Sequence, residues 1–573
     1  MQPRPLARCA ILTGVGLLLC CSPGRTPEEG SAAQTAQRVV SLSIKPDNDI
    51  LLVDLNTEAT KAFSVRAFFA DGSSADYTRK VRWSLDNPAV GRFVGSSFRS
   101  AQLDRTKIDF SRIRARYQDA DTDVTGVANL TVVWLRTSGP SQDFFFSLPY
   151  RAAPQQKPLT FSTQVQSLDV FFAVDTTGSM GGAIDQLTRS LRNQIIPGVK
   201  AAAAKDAWFG VGAVEDFPVI PYGNLCRGGP DDQPLLLLQP MTDDLMKAER
   251  AVQDLMRGGQ PRGCGGDTPE GQMEALYQIA TGEGNNKGGA NVPPNRKGIG
   301  GVEFRDGALP VVALITDASF HTKGEPGRTC FNQPIEYQGM VADAAHTRQE
   351  TVEALNKICA KVVGVSALLP SEESCLATRD LVQMARATGA MVPPEAWDVP
   401  KRPAGCPAGQ CCTGLQGAGE EPDATGLCPL VFKVTSQGAG LGEQVSGGIS
   451  QLARFASFDV LTDVVGQLQG DKGEPLPPGK TTADFIRSIV PLDALPPPPP
   501  PVIPPPERTE RGFTKVVPGS FVRFAVEAAN DMVQQRSQPQ VFHATIRVRA
   551  GGCANLDERD VIILIPPTSP TPG

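Results

Sequence analysis

Apolar and polar positions along this chain follow two different rhythms. Across residues 39–136 they alternate in short runs, as in Phe63-Ser-Val-Arg-Ala-Phe-Phe and Ala128-Asn-Leu-Thr-Val-Val-Trp134, with a turn at Asp71-Gly72-Ser73-Ser74. A period of two broken by frequent turns predicts a small β-sandwich over 38–137, in which Trp83 anchors the core. Beyond residue 164 unbroken apolar runs take over at 168–174, 309–316 and 362–369, with helix-patterned segments between them. Ile184, Leu187, Leu191 and Ile195 recur at helical spacing until Pro197-Gly198 stops them, and further helices are expected at 272–280, 378–388 and 444–455. Buried strands alternating with helices predict a central α/β domain with a doubly wound parallel sheet, Rossmann-like, over 164–466. Two stretches thick with Gly, Pro and Asn, 282–305 and 395–428, are expected as loops. Strand patterns return at 521–526, 541–548 and 561–565, in an all-β segment over 510–567. Before it, 467–509 contains the runs 496–501 and 504–506 of proline and is expected as a stiff polyproline linker.

The chemistry sits at the ends of the buried strands. The run 168–174 is followed by Asp175-Thr176-Thr177-Gly178-Ser179-Met180, and the run 309–316 by Asp317-Ala318-Ser319-Phe320-His321. Between them in sequence lies Gly265-Gly266-Asp267-Thr268-Pro269-Glu270-Gly271, a turn that feeds a helix. Ligand sites in open parallel sheets form just outside the carboxyl ends of the strands, so the three turns can meet there. Carboxylates and hydroxyls are hard oxygen donors, suited to Mg²⁺ or Ca²⁺ rather than to thiol-seeking metals. Asp, Thr and Ser also cap helices in any protein, which is the bland reading of the hexapeptide taken alone. A lone imidazole beside a carboxylate is more often a hydrogen-bonding partner than a ligand, and His321 is left outside the site.

These three turns resemble the von Willebrand factor A family, whose metal-ion-dependent adhesion site combines an Asp-x-Ser/Thr-x-Ser loop with two further oxygen-bearing loops. Within the family the chain is most similar to the I-like domain of integrin β subunits, through Gly210-Val-Gly-Ala-Val-Glu-Asp-Phe-Pro218, Pro221-Tyr222, Asp267-Thr-Pro-Glu-Gly271 and Thr316-Asp-Ala318. The resemblance implies that Thr177, Ser179 and Glu270 coordinate a cation directly, with Asp175 and Asp317 beside it or acting through water. Mg²⁺ is the first expectation, Mn²⁺ or Ca²⁺ the alternatives. It also implies a second cation site from Asp216, Asp267 in the turn with Thr268, the Pro269 carbonyl and Glu270. There the family pattern has Asn where this chain has Gly265. A third site needs acids shortly after the serine, and Met180-Gly-Gly-Ala183 supplies none. The C-terminal strands are too few to close a sandwich alone, so segment 140–163, through Phe144 to Tyr150 and Leu159 to Thr163, is expected to pair with them, making the A-type domain an insertion in a β domain, similar to the arrangement in the integrin β chain. The segment 38–137 is similar to bacterial immunoglobulin-like group 2 domains through Asp71-Gly-Ser73, Asp76-Tyr-Thr78, Val81-Arg-Trp-Ser84 and Asn87-Pro-Ala-Val90.

The amino terminus reads as an export signal over 1–21, with Arg4 and Arg8 ahead of an apolar stretch too short to span a bilayer. Leu18-Leu-Cys-Cys21 resembles a bacterial lipobox in which Cys21 is lipidated, and residues 22–37 form a tether rich in Pro, Gly, Ser, Ala and Glu. A plain signal peptide is the alternative. The formal charge of −6 becomes −8 without Arg4 and Arg8. Spread over the chain, and without a basic cluster, it argues against nucleic acid as a partner. Ten of the 13 cysteines follow the signal region, an even number that favours disulfides in an exported protein. Cys226 and Cys264, flanking a Gly/Pro-rich excursion, are the expected pair. The cluster Cys406, Cys411, Cys412, Cys428 has no histidine nearby and no zinc-site spacing, so disulfides are preferred there too.

Three functions follow in order: an exported, lipid-anchored adhesion or protein-binding module that captures an acidic side chain of a protein partner; a structural or assembly factor of the bacterial envelope; and a metal-dependent hydrolase. No P-loop, nucleophile elbow or zinc-protease helix is present, so the chain is not expected to be an enzyme. It is placed in the bacterial cell envelope, at the outer membrane or cell surface, or else secreted or periplasmic.

Overall fold

The computed structural model describes residues 38–137, 142–203, 205–224, 232–329, 331–368, 374–399, 402–499 and 501–570. The signal, Cys21 and the tether therefore lie outside the described residues. Two compact units emerge: one contains the N-terminal β segment with the last residues of the chain, and the other runs from Arg136 to Pro567.

In the first unit, a four-stranded sheet has the order Asn48–Asp54, Asp123–Leu135, Lys107–Gln118, Arg82–Leu85, and two three-stranded sheets accompany it. The alternation of the sequence shows as alternate burial along Val39–Lys45 and Ser64–Phe69. The fully buried tryptophan is Trp134 rather than Trp83. Trp83 lies at the margin of the core, stacked on Phe93 at 4.9 Å between ring centroids.

The second unit holds the α/β part. Its strands are β1 (Ser167–Asp175), β2 (Asp206–Val214), β3 (Leu236–Thr242), β4 (Leu309–Thr316), β5 (Lys361–Leu368) and β6 (Val431–Thr435). They form one sheet in the order β3-β2-β1-β4-β5-β6, in which β3 alone runs antiparallel to its neighbour. β4 is buried at every position and β1 at all but its first, as expected for strands covered on both faces. The longer helices are α1 (Gly181–Ser190), α2 (Leu245–Gln253), α3 (Gln272–Thr281), α4 (Arg348–Lys357), α5 (Ser374–Thr388) and α6 (Leu441–Phe455). Pro197 does not stop the first helix. A π turn at Leu191–Ile195 is followed by another helical stretch, Ile196–Lys200, with proline in its first turn, where a missing N–H costs no hydrogen bond.

Around this sheet the unit is β-rich and mixed. Phe144–Ser147 pairs in parallel with Ala554–Ile565, and Gln155–Ser162 pairs antiparallel with Phe521–Ala528. Segments before and after the α/β part thus share sheets. The α/β part ends sooner than the sequence pattern implied, because Phe458–Gly466 already pairs with Gln540–Ala550. The expected linker 467–509 contains a strand, Ile486–Leu495, paired with Phe521–Ala528, and Ile503 within the proline stretch is buried. Proline at 491 had disguised that strand, which lies at the edge of its sheet, where a residue without an N–H is tolerated.

Cys406–Cys412 and Cys411–Cys428 are disulfides, and Cys359–Cys553 ties the turn after α4 to the hairpin that joins the last two strands. Such bridges fit an oxidising compartment. Cys264 is also disulfide-bonded, while Cys226 lies outside the described residues. Among the described residues no helix is long and apolar enough to cross a membrane.

Candidate metal centre

Because β1 and β4 are parallel neighbours, both deliver their last residues to one edge of the sheet. There Asp175 is wholly buried. Its Oδ1 accepts hydrogen bonds from the Thr177 backbone N at 2.9 Å and from Thr177 Oγ1 at 2.6 Å. Its Oδ2 accepts from Thr316 Oγ1 at 2.7 Å, and Thr316 is in turn held by Gln272 Nε2 at 2.8 Å. Backbone hydrogen bonds stitch the turns to one another. Gly263 N donates to Thr176 O, Gly271 N to Glu215 O, Glu270 N to Ser319 O, and His321 N to Glu270 O, all at 2.8–3.0 Å.

The structure thus brings together Asp175, Thr177 and Glu270 from two turns and places Asp317, buried, directly after Thr316. Ser179 is exposed on the short 3₁₀ turn Gly178–Met180 that precedes α1. Gly265 shows how close the first two turns come. With φ of +64°, a Cβ there would lie 2.7 Å from Glu270 Oε1 and 3.3 Å from Thr177 Cγ2. The side chain of Glu270 thus occupies the space that a Cβ at Gly265 would need.

The electrostatics are those of an anionic pocket. Burial raises the pKa of Asp175, and only hydrogen bonds from Thr177, Thr316 and Gln272 oppose it. Glu270 is raised well above the ordinary range by burial, with Asp175, Asp216, Asp232 and Asp267 all pushing the same way. Its Oε2 is buried without a hydrogen-bond partner. A buried, unpaired acceptor among carboxylates is costly unless a cation compensates it. An all-oxygen donor set of this kind fits a hard divalent ion. Nearby, burial raises Glu215 to about 7, opposed by hydrogen bonds from Gln233 N and Thr176 Oγ1.

The second cluster differs from its expected form. Asp216, Asp267 and His321 offer ligand atoms all within 4.8 Å of one another. His321 Nδ1 is 2.6 Å from Asp216 Oδ2, and its Nε2 is 3.5 Å from Asp267 Oδ2. Tyr337 Oη donates to Asp216 Oδ1 at 2.6 Å. Burial alone would depress the imidazole, but Asp216, and behind it Asp267, raise His321 to about 9. Burial raises Asp216 as well, so the two groups hold a proton between them. Sequence reasoning set His321 aside because a lone imidazole beside a carboxylate is more often a hydrogen-bonding partner than a ligand; that its partner is Asp216, over a hundred residues earlier, has no local pattern. Thr268 serves the wall of the site, its backbone N donating to Gln333 Oε1 at 2.8 Å.

No family model matches the chain, and no curated protein matches it. Among solved structures it is similar to a von Willebrand factor type A protein from Catenulispora acidiphila, at 12% identity and a TM-score of 0.27, over 73% of this chain and 71% of that one. It is also similar to the pilus adhesin SpaC from Lactobacillus rhamnosus GG in its open conformation, at 9% identity and 0.27, over 79% of this chain and 47% of that one. A third is proximal thread matrix protein 1 from the mussel byssus, at 12% identity and 0.25, over 54% and 52%. At these identities and scores the likenesses carry no argument about function.

Proposed function

We propose that this chain is an exported adhesion or protein-binding protein, built on a doubly wound A-type domain, that takes one divalent cation among Asp175, Thr177, Ser179, Glu270 and Asp317. Mg²⁺ is the first candidate. A hard cation held there would offer a coordination position to a carboxylate from a partner. The supporting observation is the unpartnered, buried Oε2 of Glu270 in a pocket where two turns from neighbouring strands and a third from α3 are hydrogen-bonded to one another. Asp175 orients Thr177 through its Oδ1, and Thr316 fixes the other oxygen, so the hydroxyl of Thr177 is positioned before any ligand arrives. Membrane attachment through a lipidated Cys21 belongs to the same reading, as does the absence of catalysis.

Binding of the full chain to an envelope extract should require Mg²⁺ or Mn²⁺, vanish with chelator, and be lost in Asp175→Ala or Glu270→Ala with the circular dichroism spectrum unchanged. Partner binding that survives chelation would overturn the proposal.

A further inference from the structure

The resemblance implies a second cation beside the first, held by Asp216, Asp267, the Pro269 carbonyl and Glu270. The donor set of this chain does not fit it. Both oxygens of Asp216 are committed: Oδ1 accepts from Tyr337 Oη at 2.6 Å and from the Phe217 backbone N at 2.7 Å, and Oδ2 lies 2.6 Å from His321 Nδ1. Position 265, where the family pattern has asparagine, is glycine and offers no side-chain donor.

An imidazole stands between the two carboxylates instead. The ring of His321 turns Nδ1 to Asp216 and Nε2 to Asp267, whose Oδ2 is 3.5 Å away, too long for a strong hydrogen bond but within ion-pair range. The residue is wholly buried, and its surroundings pin it on every side. Its ring stacks on Tyr337 at 4.6 Å between centroids and meets Tyr222 edge to face at 5.0 Å, while its backbone N donates to Glu270 O at 2.8 Å. Tyr222 is itself anchored, its Oη accepting from Gln338 N at 2.8 Å. An ion between Asp216 and Asp267 would have to push this ring out of a close-packed group of three, where no neighbouring space receives it. A buried carboxylate needs a cation or a hydrogen-bond donor. For Asp216 the fold supplies the donor itself.

We infer that the His321 side chain stands in the place of the second cation, so that the pair of ions implied by the resemblance is reduced to one. The turn from Asp267 to Glu270 is then set by the fold rather than by calcium. Under the carboxylate-capture reading, on which this consequence rests, partner binding needs only the ion among Asp175, Thr177, Ser179, Glu270 and Asp317, and calcium acts solely as a competitor for that position.

The test counts ions on the full chain by equilibrium dialysis against Mn²⁺ and, separately, Ca²⁺. The wild type should hold about one ion per chain, a count unchanged in Asp216→Asn and abolished in Asp175→Ala. His321→Ala, which opens the place between the two acids, should raise the count to about two, and Asp267→Asn added to it should return the count to about one. His321→Asn replaces the alanine variant if that one misfolds, with the same gain expected. A wild-type count of about two that falls to about one in Asp216→Asn overturns the inference. So does a count that the His321 substitutions leave unchanged. If the wild type binds no ion, the carboxylate-capture reading falls by itself: an ion gained in His321→Ala then still supports the inference, and none gained overturns it.

Discussion

Strand β1 carries a buried acid near each end, and the protein treats the two in opposite ways. At its beginning Asp169 meets Arg305 at three points: the backbone N at 2.7 Å, Nε at 2.8 Å and Nη2 at 2.6 Å. The same guanidinium reaches Asp206 at 2.9 Å and lies over the Trp208 ring. Burial raises Asp169, and Arg305 pulls it back. At the end of the strand Asp175 receives only neutral hydrogen-bond donors, and around it the acids accumulate. One edge of the sheet is electrically closed by its own chain. The other is held together by neutral donors and crowds buried acids whose pKa values rise, a strain that a bound cation would relieve.

The largest test of this contrast is Arg305→Ala, which would strand Asp169 in the core. Urea unfolding in chelator should show a loss of about 3–5 kcal/mol, as for other buried ion pairs broken on one side. An unchanged midpoint would mean that Asp169 is not charged.

The next concerns pH. His321 has its folded pKa raised from 6.5 to about 9, so its contribution is complete below pH 6.5 and is lost as pH rises through 9. In chelator, melts between about pH 6 and about pH 10 should lose on the order of 3 kcal/mol relative to His321→Gln. Parallel profiles for the two proteins would refute the assignment.

A smaller effect is expected from the cation itself. Magnesium at about a hundred times its dissociation constant should stabilise the protein by about 2.7 kcal/mol. The smallest is Glu270→Gln, which should raise stability in chelator by about 1 kcal/mol through relief of repulsion, and abolish the response to magnesium. If Glu270→Gln is instead destabilising without metal, the crowded-acid account of this edge is wrong.

The contrast was half visible beforehand. Asp175 and Asp317 were legible because each follows an apolar run that can only be a buried strand, and Glu270 because its turn opens a helix. Asp169 and Arg305 were not, since an acid inside an apolar run and an arginine far along a loop share no local pattern. The strand Ile486–Leu495 was hidden by its proline, and the end of the α/β part by the continuity of helix into strand at Phe455 to Phe458. The pairing of His321 with Asp216 was invisible for the same reason, the two lying more than a hundred residues apart in the chain.

Local periodicity determined which segments are strands and helices, and which polar residues stand where strands stop, because both depend on neighbours within a turn or two of chain. Tertiary structure alone decided which charges are cancelled and which are left over. Electrostatic balance depends on distances through space, and those exist only once β1, β2 and β4 lie side by side and bring their ends together.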